Sequence, residues 1–188
     1  MNRYASHPPQ LLPSSRAARV RPWLGALLGL GIILPGWAAE PSESAALAVA
    51  DAALEAISEE DFIALTDLML EETTIYAAGE REGRPTVRHR GYAEERAQTA
   101  PGDILERGWD PVVMVSGSVA MVWYPYDLWL NGEWVHCGVD IFNLVQTGDG
   151  WRIATIVYSA DQPPVCTMHP DGPPEGSETH TRFGTAGD

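Results

Sequence analysis

The chain has 188 residues, with 12 basic and 26 acidic side chains, a formal net charge of −14 and no lysine. That length suits one ordinary domain plus a short targeting segment. So acidic a chain repels phosphate backbones and anionic lipid, which excludes nucleic-acid binding and leaves membrane contact only to an uncleaved leader.

The first 39 residues differ from the rest. They hold Arg3, Arg16, Arg19 and Arg21 and no acid, then the apolar run Trp23 to Leu34, then Pro35-Gly36-Trp37-Ala38-Ala39. A basic start, a short apolar stretch and a small-residue cleavage site make a secretory signal. The run falls well short of the roughly 20 apolar residues a membrane-spanning helix needs. The expected organisation is a signal peptide over 1–39, one domain over 40–161 and a disordered Pro- and Gly-rich tail over 162–188. The expected location is periplasmic or secreted.

Residues 42 to 70 read as helical, because Leu47, Ala50, Leu54 and Ile57 recur at helical spacing. Ser58-Glu59-Glu60-Asp61 resembles a capping box that starts a second helix with Phe62, Leu65, Leu68 and Met69 on its apolar face. Residues 73–78 suit a strand, 79–90 a loop or hairpin, and 91–98 a short third helix ending before Pro101-Gly102. From Ile104 onward strand signals dominate: 112–115, then 119–130. Asn131-Gly132 is a strong two-residue hairpin turn, since both positions tolerate positive φ. Thr147 to Gly150 marks the next reversal. After Asp161 periodicity disappears. Helices followed by a meander imply an α+β domain, with a curved antiparallel sheet packed on two to three N-terminal helices.

The Asn131-Gly132 turn predicts a register. It sets Trp129 opposite Trp134, Asp127 opposite His136, and Trp123 opposite Asp140. Counting back from the second turn puts Phe142, Leu144, Trp151, Ile153, Thr155 and Val157 on that same face. The face is therefore expected to lie under the helices as a Trp-lined hollow containing Asp127, His136 and Asp140. A carboxylate there is costly unless it is paired or solvated in a cavity. For Asp127 and His136 a satisfied cross-strand pair is the favoured reading; for Asp140 it is a pocket. The other face, with Val122, Tyr124, Tyr126, Val139, Ile141 and Tyr158, is also apolar. Homodimerisation through it is expected, with cover by the tail as the alternative.

Cys137 and Cys166 are the two cysteines. Export permits a disulfide, but two thiols make no framework and no zinc spacing is present. They are read as unpaired, with a bond between them as the alternative.

Taken together, the paired helices, the meander and the segments Asn131-Gly132, His136-Cys-Gly-Val-Asp-Ile-Phe142 and Asp149-Gly-Trp-Arg-Ile153 resemble the nuclear transport factor 2-like (NTF2-like) superfamily, and within it the SnoaL-like and lumazine-binding group. The likeness covers roughly residues 44 to 160. It implies a cone-like α+β fold with a deep pocket between helices and concave sheet, and frequent dimers through the convex sheet. It does not choose a reaction, because that fold hosts isomerases, cyclases, dehydratases and binding domains.

Two functions fit. One is a binding domain for an aromatic or polycyclic ligand, contacted by Trp123, Asp127, Trp129, Trp134, Phe142 and Thr155. The other is acid–base catalysis, with Asp140 as proton shuttle, His136 at the pocket mouth and Tyr76 as donor to a developing enolate. No cofactor motif is present. A metal held by Asp127, His136 and Asp140 is rejected, because His136 and Asp140 stand about 13 Å apart by strand rise. Arg84, Arg88 and Arg90 are read as a solvated loop balancing the acids, with attraction of an anionic ligand group as the alternative.

Overall fold

A computed structural model describes residues 42–177 of the protein. The predicted signal peptide and residues 178–188 lie outside the described residues. The described chain runs α1 (Glu43–Ser58), α2 (Phe62–Asp67), β1 (Met69–Arg81), β2 (Arg84–Gly91), α3 (Tyr92–Arg96), β3 (Ile104–Gly108), β4 (Val112–Ser116), β5 (Val119–Leu130), β6 (Glu133–Thr147) and β7 (Gly150–Ala160).

The helix starts follow local chemistry. Ser42 caps α1 by accepting from the Ala45 amide at 3.2 Å, and Asp61, rather than Ser58, caps α2 by accepting from the Ala64 amide at 2.8 Å. The buried stripe of α1 is Ala46, Ala50, Ala53 and Leu54. These small side chains let the helix lie close on the sheet.

The seven strands form one curved, unclosed sheet in the order β2-β1-β7-β6-β5-β3, with β4 also pairing β5. It is mixed rather than purely antiparallel. β1 runs parallel to β7, because the chain leaves β1 through the β2 hairpin and the remaining strands before returning beside it. Two two-residue reversals have left-handed residues in both positions, Glu82-Gly83 (φ 54° and 74°) and Asn131-Gly132 (φ 52° and 76°). Both match the right-handed twist of their hairpins. Ile75, Val122, Phe142, Leu144, Ile153 and Ile156 on the concave face meet α1 and α2 in the core.

Two bulges change the predicted register. Leu130 opposes Glu133 and Trp129 opposes Trp134, as the turn requires, but Leu128 then opposes His136, so Val135 is the extra residue. From there every pair moves by one: Asp127 faces Cys137, Tyr124 faces Asp140 and Trp123 faces Ile141. A second irregularity leaves Ala154 extra, with Asn143 opposite Thr155 and Leu144 opposite Ile153. Since side chains alternate, each one-residue slip exchanges faces. His136, Asp140, Phe142, Leu144, Trp151 and Ile153 stay concave. Trp123, Asp127, Thr155 and Val157 turn convex, and Val122, Tyr124, Tyr126, Ile156 and Tyr158 turn inward.

The segment after β7 has no regular structure, yet its described part is tied down. Cys137 and Cys166 form a disulfide, with Cα atoms 5.8 Å apart, which corrects the reading of unpaired thiols. Asp127 is fully buried. It accepts from Arg107 Nε at 2.9 Å, from Arg107 Nη2 at 2.6 Å and from the His169 amide at 3.0 Å. Arg107 also donates to the Gly172 carbonyl at 2.9 Å and lies over the Trp129 ring at 5.7 Å. Residues 162–177 are thus a strap tied to the sheet through Cys166, His169 and Gly172 instead of trailing as a tail, and Trp129 is buried and stacks on Trp134.

Candidate functional site

A cavity of about 350 Å³ lies between the helices and the concave sheet. That is within the range of small-ligand sites. Its walls are largely apolar, with Ile57, Phe62, Leu65, Ile75, Phe142 and Ile156 among them. The polar groups facing it include Arg88, Arg90, Glu95, Gln98, Glu106, Tyr126, His136, Asp140 and Tyr158. They come from β2, α3, β3, β5, β6 and β7, and the curvature of the sheet brings them together.

Three acids are buried here: Glu95, Glu106 and Asp140. Glu95 is neutralised. Arg90 forks onto it through Nε and through Nη2, the latter at 3.1 Å, and the Arg90 Nη1 donates to the Tyr158 hydroxyl at 3.2 Å. Burial works against the Arg90 charge, but the Glu95 carboxylate outweighs it and holds the guanidinium pKa above its ordinary value.

Glu106 and Asp140 have no such fork. They lie close enough for each to shift the other's ionisation, and two like charges so placed are costly to form together. Burial raises both pKa values. Asp140 is pushed well above the usual carboxylate range, first by burial and then by the adjacent Glu106 charge. Burial lifts Glu106 to about 7, against the hydrogen bond from Asp140 and the field of Arg90. Asp140 Oδ2 is buried with no hydrogen-bond partner.

His136 is the third element. The Tyr126 hydroxyl donates to the Ser159 carbonyl at 2.8 Å and lies 3.0 Å from His136 Nδ1. A hydroxyl has one proton, and a carbonyl can only accept. Tyr126 must therefore accept from His136, so Nδ1 carries the hydrogen and Nε2 presents a bare lone pair. Burial, and then the nearby Arg88 charge, lower the imidazole pKa to about 4, so the ring is neutral at neutral pH. Tyr126 and Tyr158 hold it by edge and stacked contacts, with centroids 5.7 and 6.4 Å away.

Of the residues expected to form the site, the structure brings Asp140, His136 and Phe142 into the cavity. Trp129 and Trp134 stack on one another next to the Asn131-Gly132 turn, and Thr155 bonds Asn143 on the convex face, at 2.9 Å. Trp123 and Tyr76 are convex and partly exposed, 41% and 39%. Asp127 belongs to the strap, so it neither fixes His136 nor completes a metal set with it. No tryptophan lines the cavity; the Trp-lined hollow is replaced by Phe and Tyr walls. Sequence reading missed Glu106, Glu95, Tyr126 and Tyr158. The alternation Ile104-x-Glu106-x-Gly108 could have exposed Glu106, because it places an acid in an otherwise inward-facing row.

No family model matches the sequence, and no curated protein matches it. Solved structures do. An NTF2-like protein of unknown function from Pseudomonas putida KT2440 superposes with TM-score 0.50 at 13% identity, covering 70% of this chain and 96% of that one. An NTF2-like protein with a cystatin-like fold from Novosphingobium aromaticivorans gives 0.51 at 14%, covering 62% and 80%. The fold is NTF2-like. The CaMKII hub of S. rosetta superposes on this NTF2-like domain with TM-score 0.50 at 20% identity, covering 63% and 95%. In the NTF2-like arrangement described above, the cavity occupies the concave side and leaves the convex sheet outside.

Proposed function

We propose that this NTF2-like domain binds a small, mostly apolar molecule in its concave cavity, with an oxygen function of that molecule on the Glu106–Asp140 pair. The observation that carries this reading is Asp140 Oδ2, a buried polar atom without a partner at the wall of an apolar cavity. Such an atom costs roughly 1–3 kcal/mol unless something satisfies it, and a ligand hydroxyl, or a water that the ligand displaces, would do so. The aromatic walls of Phe62, Tyr126, Phe142 and Tyr158 favour a flat, aromatic or polycyclic ligand. The test is native mass spectrometry of protein purified from its source. A co-purifying small molecule, absent from a cavity-filling Ile156→Trp variant, is the expected result. The same adduct on both proteins would refute the assignment.

A second reading, acid–base catalysis of the isomerase, cyclase or dehydratase kind, is favoured by one specific observation. The cavity pairs a protonated carboxyl with a neutral imidazole whose Nε2 is free to accept. Asp140 would deliver a proton to a ligand oxygen, and His136 would take one from carbon or from water. With a substrate in hand, Asp140→Asn would then abolish turnover and leave affinity nearly intact.

Three further elements belong to the proposal. Export to the periplasm or medium is supported by the first 39 residues. Membership of the SnoaL-like group is supported by the His136 to Phe142 run. A homodimer through the convex sheet is supported by the row Val112, Trp123, Ile141, Val157 and Tyr76, which crosses five strands on one face. Val112 and Met114 in that region are each 54% exposed, a larger apolar surface than monomers usually show.

A further inference from the structure

The two arginines that face the cavity are not equivalent. Arg90 is committed to Glu95 and Tyr158. Arg88, two residues earlier on the same face of β2, has no carboxylate partner among the described residues, although acids outnumber bases 26 to 12 in the chain. It lies opposite Ala77 on β1, a small neighbour that leaves the guanidinium free to lean over the cavity. It is exposed, so it stands at the rim, while Glu106 and Asp140 are buried further in. His136 lines the same wall and is close enough to feel the Arg88 charge.

The two ends of the cavity therefore have different chemistry. The inner end offers two buried carboxyls, Glu106 and Asp140, with Asp140 Oδ2 lacking a partner. The rim offers a guanidinium, which carries several donors in a fork suited to a planar anion, beside a bare imidazole nitrogen.

We propose that Arg88 is the anion anchor of the cavity, taking the carboxylate of an otherwise apolar ligand whose other end reaches the Glu106–Asp140 pair. This deepens the binding function proposed above and rests on it. An anion so placed offsets the Arg88 charge felt by His136. The imidazole then becomes easier to protonate, and once protonated it is a second donor to the carboxylate. In the free protein the Arg88 guanidinium meets solvent, so the bound state gains an ion pair without losing one. The strongly acidic chain repels anions at long range, so selectivity for a carboxylate must come from this local group.

Two probes of matched size and shape test the assignment: 2-naphthoate and its neutral counterpart 2-naphthamide. Binding is measured by titration calorimetry on the full chain, with the imidazole nitrogens of His136 followed by NMR. The wild type is expected to prefer the naphthoate by tenfold or more, and His136 should shift on its addition. Arg88→Gln, at an exposed position outside the core, should erase that preference while leaving naphthamide affinity within about twofold. Equal affinity of both probes for the wild type, or a preference that survives in Arg88→Gln, would overturn the anchor and leave the cavity function standing. Binding of neither probe would count against both.

Discussion

Glu106 and Asp140 face one cavity from either side of β5, although their own strands, β3 and β6, are not hydrogen-bonded neighbours. The sheet is curved enough there for two buried acids separated by a whole strand to shift each other's ionisation. Between them β5 presents Tyr126, which is flanked by Gly108 on one side and Gly138 on the other. Both glycines are sites of close approach. A Cβ on Gly108 would lie 2.5 Å from the Tyr124 ring, and one on Gly138 would lie 2.3 Å from the Ser159 carbonyl oxygen. A side chain at either position would collide with Tyr124 or with Ser159.

The raised pKa of buried Glu106 gives stability a pH dependence of definite sign. Between the ordinary value of 4.5 and about 7, folded Glu106 retains a proton that the unfolded chain releases. Stability contributed by this group is complete below that window and is lost as pH rises through it. Glu106→Gln removes the cost of ionising the pair. Relative to wild type, the variant should gain roughly 1–3 kcal/mol between the acid and alkaline sides of the window. Urea unfolding of both proteins at the two pH values checks this. Comparison with wild type is essential, because His136, lowered to about 4, contributes a slope of opposite sign below its ordinary 6.5.

Asp127 should prove structural. Asp127→Ala leaves Arg107 without its fork and frees the strap at His169. A destabilisation of about 3–5 kcal/mol is expected, the cost of breaking a buried pair from one side. Probe affinity for the cavity should be unchanged under conditions where the variant is folded. Denaturant melts and calorimetry give the two numbers, and a folded variant that lost binding would return Asp127 to the site.

The Cys137–Cys166 disulfide closes a loop with a sequence separation of 29. A loop of this size restricts the unfolded chain enough to be worth about 2–4 kcal/mol. Thermal melts should show the wild type losing stability on reduction. The Cys137→Ser, Cys166→Ser double variant should be insensitive to reductant.

How much of this was legible in the sequence depended on whether local chemistry decided the outcome. Asn131-Gly132 specified its turn, and with it the first two pairs of the β5–β6 hairpin, because the left-handed backbone needs those residue types. Asp140 and Phe142 were legible as inward-facing, but by way of a register that did not hold. The bulges at Val135 and Ala154 have no local signature. The first is held by what the chain does elsewhere: Asp127 must turn convex to meet Arg107 and His169, while His136 stays concave beside Tyr126. A count from the turn cannot anticipate that. Glu106 was missed for a similar reason, since β3 is short and its partner acid arrives from a strand beyond its neighbour.

The convex row is expected to be an interface. Trp123→Asp places a charge at the middle of the Val112 to Tyr76 row, where a dimer would bury it. The wild type should sediment as a dimer and the variant as a monomer with unchanged circular dichroism. A dimer that persisted in the variant would move the contact to another surface.

The most direct measurement is a carboxyl-carbon NMR titration of Glu106 and Asp140 in the intact protein. The account predicts that the two titrate together, with an apparent pKa near the value of about 7 set by burial for Glu106 and a second step above it for Asp140. Two independent titrations at ordinary carboxylate values would mean that water reaches both groups and that neither burial nor the other acid raises them.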